Sequence, residues 1–126
     1  YGFRTVLTMK QKTRFIIYTV LLWTCYYLQL YFCIFAFSDT AHLGALAALS
    51  LFVMGSIGMG IPVQGGFGPW HLAVMATPAI YGITDKNVAG SFALVAHGSQ
   101  MVVIVLLGIY TFFSILFEKK KTQVDK

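Results

Sequence analysis

A chain of 126 residues with 58% hydrophobic and only 10% charged residues, and a mean hydropathy of +0.76, lies far from soluble proteins, in which about a quarter of residues are charged. These values exclude the ordinary soluble classes and read as an integral membrane protein with room for two or three spans, one domain or a piece of one. The formal net charge of +5 comes from lysines and arginines of which only Lys86 lies away from the two ends. That distribution is a topology and anionic-lipid signal and gives no support to a nucleic-acid partner.

Residues 1–14 form a basic flank with Arg4, Lys10, Lys12 and Arg14 and no acid. Tyr1 in place of an initiator methionine is what a truncated or processed chain would show, and no signal peptide is legible. The uncharged run 15–37 predicts a transmembrane helix of about 34 Å, enough to cross a hydrocarbon core of about 30 Å with some tilt. Its Tyr18, Trp23, Tyr26, Tyr27 and Tyr31 imply one face packed on protein. Cys25 and Cys33, eight positions apart on that helix, are about 12 Å apart along its axis, beyond disulfide reach.

A polar turn at 38–42 follows, with Asp39 or Thr40 placed to cap the next helix. Residues 43–60 are apolar and rich in small side chains, and the pairs Gly44/Ala48 and Ser56/Gly60 have the spacing that lets helix backbones approach. The helical pattern breaks at Ile61-Pro62-Val63-Gln64-Gly65-Gly66-Phe67-Gly68-Pro69-Trp70-His71. Proline removes a backbone donor and glycine costs conformational entropy, so neither helix nor strand runs through. Irregular backbone at membrane depth is tolerated only where it is buried in protein or lines a polar cavity.

With Gly68 as N-cap and Pro69 at N1, residues 70–81 predict a helix of about 18 Å, too short to cross. After a polar break at 82–87, residues 88–117 carry no formal charge. They predict a second transmembrane helix of about 45 Å, tilted, protruding or kinked near Gly98, with a polar cluster at His97 to Gln100. The tail 118–126 is basic again. Positive-inside logic puts both ends of the chain on the cytoplasmic side, so 43–81 begins and ends on the outer side. The expected fold is therefore all-α and membrane-integral: two full transmembrane helices flanking a re-entrant helical hairpin whose tip is the Gly/Pro loop. The positive end of the 70–81 helix would face that tip, as half-helices face anionic groups in transporters.

Pro62, Gly65, Gly66 and Gly68, followed by His71, an apolar helix, Gly82 and a long helix with His97, resemble the C-terminal part of the flippase-like family. That family is also described as the transmembrane region of lysylphosphatidylglycerol synthase. Its pattern is Pro-x-Pro-Gly-Gly-x-Gly-x-x-Glu, a short helix, a Gly, then a helix with an Arg. Gln64 stands here at the second proline, His71 at the acid and His97 at the arginine. The resemblance spans about residues 43–117. It implies a bacterial-type cytoplasmic membrane, missing N-terminal helices or other subunits as packing partners, and movement of a phospholipid or lipid-linked head group between leaflets.

The candidate substrate-binding residues are Gln64, Gly65, Gly66, Gly68, Trp70, His71, His97 and Gln100. The three loop glycines suit either close approach of a ligand or a tight turn. The two histidines suit either a direct role or a structural bridge between helices. No catalytic constellation, cofactor motif or metal spacing is legible, and the synthase's soluble aminoacyl-transfer domain is absent, so no enzymatic activity is expected. Two functions remain: a lipid translocase element, or a non-transporting scaffold or partner subunit of a lipid-modifying enzyme.

Overall fold

The structure, a computed structural model, describes residues 6 and 8–124, with side chains as far as residue 118. Arg4, Lys126 and the side chains of Lys119, Lys120 and Lys121, all part of the expected basic ends, lie outside the described residues. The described residues are helical: α1 (Lys12–Ile34), α2 (Ala45–Met59), a single turn at Gln64–Gly66, α3 (Pro69–Ala76) continued by a tighter turn at Thr77–Tyr81, and α4 (Lys86–Val124). Two helices, Lys12–Ile34 and Lys86–Glu118, are long and apolar enough to cross a membrane.

α1 starts three residues before the expected run 15–37 and ends three short of it. The chain turns at 35–43 around Thr40, which is 2% exposed. Thr40 does not cap α2 as expected. Its hydroxyl donates to the carbonyls of Ile34 (2.6 Å) and Phe37 (3.3 Å), so it satisfies the C-terminal end of α1, where carbonyls lack partners. The N-cap of α2 is Gly44, without a side-chain bond.

α2 and α3 form an antiparallel hairpin, fixed at both ends. Near the tip, a Cβ on Gly58 would lie 2.8 Å from the Pro69 carbonyl oxygen and 2.9 Å from Trp70 Cα, and one on Gly55 would meet the Trp70 indole. Near the open end, the Tyr81 hydroxyl lies 2.6 Å from Ser50 Oγ and donates to the Leu46 carbonyl at 3.4 Å. The close approach thus runs through Ala47, Ala48, Leu51, Gly55 and Gly58, all buried. It does not use the expected Gly44 and Gly60, which are exposed. Both pairs had the right spacing, but a stripe on a helix is chosen by its phase as well as by its period. Tyr81→Phe, which removes the bond to Ser50, is expected to cost about 1 kcal/mol, read as thermal unfolding in detergent.

The helix expected over 70–81 changes character at Thr77, because Pro78 has no N–H to continue the ladder. Gly82, at φ 82°, ends it in the left-handed region. The Asp85 carboxylate then accepts the Asn87 amide at 2.8 Å and starts α4. α4 runs through Gly98 as one 39-residue helix, about 58 Å long. Its first half packs on the hairpin through Ala89, Phe92, Ala93 and Ala96, each no more than 5% exposed. Residues 102–118 are exposed throughout.

α1 and α4 are antiparallel. The Phe37 ring meets Phe92 at 5.9 Å, while Gln29 donates to the Ala96 carbonyl (2.6 Å) and to Ser99 Oγ (2.9 Å). The basic start of α1 and the far end of α4 therefore lie toward the same end of the bundle. Leu30, Ile34, Leu51, Val74 and Phe92 fill the centre with Ala47, Ala48, Ala93 and Ala96.

Candidate functional site

The hairpin tip is built by glycines in conformations other residues avoid. Gly65, Gly66 and Gly68 have φ of 66°, 71° and 91°, in the left-handed half of backbone space. The Gly66 amide donates to the Val63 carbonyl at 3.1 Å, closing the turn. Gly66 is buried, and a Cβ there would overlap Met59 Sδ; Gly68 has open space where a Cβ would stand. Gly66 and Gly68 are thus needed chiefly for their φ, since the Met59 side chain can shift from the first and the second has open space. Gly68 and Pro69 take the N-cap and N1 positions, as expected. No side chain caps this end, and the Trp70 and His71 amides fall in the first turn, where helices have no internal acceptor.

Trp70 and His71 carry the tip onto α4. His71 and His97 have ring centroids 4.7 Å apart at 40°. Phe67 and Trp70 each lie 4.9 Å from the His97 ring, and Phe67 also stacks on His71 at 5.7 Å. His97 is 3% exposed, and neither of its ring nitrogens has a hydrogen-bond partner among the described residues. The two histidines therefore meet as packed rings, without a hydrogen bond at His97.

Beside this cluster lies a cavity of about 120 Å³, bounded by all four helices. α1 contributes Trp23, Tyr26 and Gln29, and α2 contributes Phe52 and Ser56. Trp70 closes it from α3, and His97 and Gln100 from α4. No Lys, Arg, Asp or Glu is among its lining residues. Of the residues expected from sequence, Trp70, His97 and Gln100 line this cavity and His71 touches it through His97. Gln64, Gly65, Gly66 and Gly68 do not line it; they shape the tip.

The sequence reading missed the share of α1 and α2. Gln29 is a lone amide in an apolar run, the kind of residue that needs a partner inside a bundle. That was the available signal, and it is the side chain that ties α1 to α4. Ser56 carries no signal in the sequence beyond its small size. Among the described residues, no group of three or more His, Cys, Asp or Glu could hold a metal ion.

No family model, curated protein or solved structure matches the chain.

Proposed function

We propose that the chain is the C-terminal part of a membrane-embedded bundle that moves a lipid or lipid-linked head group between leaflets, with the α2–α3 hairpin re-entering from the side at which α1 ends and α4 begins. One observation carries this reading. The tip of the hairpin lies against His97, about 16 Å along α4 from Lys86, while its open end lies near the start of α4. That is about half the thickness of a hydrocarbon core. The arms are too short to cross: α2 has 15 residues and α3 has 8, about 22 Å and 12 Å. Beside the tip lies a cavity that is mainly apolar, with Leu30, Met59 and Met101 in its wall, and that carries a few uncharged polar groups at Gln29, Ser56 and Gln100; irregular backbone at depth is tolerated where it is buried in protein or lines such a space.

The antiparallel α1 and α4 support a common side for the basic ends, read as cytoplasmic by the positive-inside rule. The bare second half of α4 supports packing against lipid or further helices. The flippase-like layout, with His71 and His97 at its acid and arginine positions, agrees with this reading. The test is a head-group accessibility assay in reconstituted vesicles, in which an impermeant reductant bleaches labelled lipid of the outer leaflet. A fraction of label bleached beyond that of protein-free vesicles supports translocation.

A second reading, a non-transporting scaffold, is favoured by the burial of Gly66 against Met59 and by the absence of the loop glycines from the cavity wall. It expects the same bleached fraction as protein-free vesicles.

A further inference from the structure

We infer that the cavity between the four helices takes the uncharged, hydroxyl-bearing head of a lipid, one acyl chain of which crosses the Trp23–Phe52 edge into the groove beside it. This rests on the translocation reading above and gives that site its substrate class.

The hydrogen-bonding groups on the wall select the head. A phosphate brings charge, yet no cationic side chain lines the cavity, and Lys86 lies about 16 Å along α4 from His97. A trimethylammonium group donates no hydrogen bond. It could sit on the faces of Trp23 and Trp70, but no carboxylate is present to neutralise it. Hydroxyl groups both donate and accept, and so does the wall.

Gln29 uses its NH₂ on Ala96 and Ser99, which leaves its carbonyl oxygen as an acceptor. Ser56 donates to the Phe52 carbonyl at 2.7 Å and keeps its lone pairs. Gln100 supplies a further amide. His97 has both ring nitrogens buried and without a partner among the described residues. A half-turn of the ring about Cβ–Cγ keeps its outline and exchanges its nitrogen and carbon edges, so a hydroxyl entering alongside can meet a nitrogen. Size agrees as well. At about 120 Å³ the cavity is slightly smaller than the roughly 150 Å³ known to admit a benzene ring, so it holds a glycerol-sized group or one edge of a sugar ring.

The groove supplies the place for a chain. Thr19, Val20, Thr24 and Tyr27 line it, and it shares Trp23 and Phe52 with the cavity. Those two rings pack edge to face at 5.7 Å. Measured along α1 from Ile34, Gln29 lies about 8 Å in and Thr19 about 22 Å in. The cavity, lined also by Trp70, His97 and Gln100, lies at the depth of the hairpin tip, and the apolar groove runs from it toward the start of α1. A head group held there sits near mid-membrane with its chain along the groove, the placement of a lipid in passage between leaflets.

Both tryptophans of the chain line the cavity, so their fluorescence reports entry. The full chain in phosphatidylcholine nanodiscs is titrated separately with a monoglycosyl diacylglycerol, with diacylglycerol and with phosphatidate. A saturable fluorescence change is expected with a hydroxylated head, at a midpoint at least about tenfold below that for phosphatidate. The glycosyl and diacylglycerol arms separate a sugar head from a bare glycerol. Gln100→Leu and Ser56→Ala, which leave the Gln29 tie intact, are each expected to raise that midpoint severalfold.

An equal or lower midpoint for phosphatidate, or no saturable response to either hydroxylated lipid, overturns the assignment. The two readings fail separately. Saturable binding of the glycosyl lipid without lipid movement in vesicles upholds this site and removes translocation. Movement without any preference for hydroxylated heads removes the site and leaves translocation standing.

Discussion

Gly58→Val is expected to separate the arms of the hairpin and to cost about 3 kcal/mol. The new side chain would meet backbone, the Pro69 carbonyl and Trp70 Cα, and backbone cannot swing aside as a side-chain end can. The displaced Trp70 would also leave the cavity wall. Gly44→Val is the control: a Cβ there meets nothing within 4 Å, so only the loss of a favoured N-cap residue is expected, about 1 kcal/mol. Thermal unfolding of both variants in detergent checks the pair. Equal midpoints would mean that α2 and α3 do not meet at Gly58.

His97→Leu separates function from stability. A buried polar atom without a partner costs about 1–3 kcal/mol, and His97 has two such atoms. Leucine removes that cost and gives up the ring contacts with Phe67, Trp70 and His71, each worth about 0.5–1.5 kcal/mol. The two effects oppose each other, so the melting midpoint is expected to stay within a few degrees of the parent. Lipid movement in vesicles is expected to fall to the protein-free level, because the cavity loses the side chain that needs a polar occupant. A large loss of stability with no separate effect on movement would assign His97 to packing. Because the rings touch, the effects of His71→Leu and His97→Leu should not add.

Much of this arrangement could be read from the sequence, and what escaped has physical causes. The two long helices follow from uncharged length. The hairpin follows from Pro62, Gly65, Gly66 and Gly68 between two short apolar runs, and Gly68-Pro69 marks the start of α3 because each residue suits only a few helix positions. Thr40 is ambiguous in the sequence because its hydroxyl can serve either of two adjacent helix ends, and the packing of α1 decides for the carbonyls of Ile34 and Phe37. Of the expected small-residue pairs, Ala48 lies on the packed stripe and Gly44 and Gly60 lie off it; nearly every side of α2 is apolar, so no polar face in the sequence marks its orientation. The cavity could not be found from α4 alone. It needs Gln29, Trp23 and Phe52, which are brought together only when three distant segments fold against one another.

The placement of the tip at mid-membrane is the claim on which the rest depends, and Phe67 tests it most directly, being 62% exposed at the loop itself. A nitroxide on Phe67→Cys in bilayers, compared with labels on Asp39→Cys and Lys86→Cys, reports depth through its relative accessibility to oxygen and to a water-soluble relaxation agent. A re-entrant hairpin predicts oxygen-dominated relaxation at Phe67 and water-dominated relaxation at Asp39 and Lys86, with both of those reached by impermeant reagent from one side. Water-dominated relaxation at Phe67, or Asp39 and Lys86 reached from opposite sides, would contradict it.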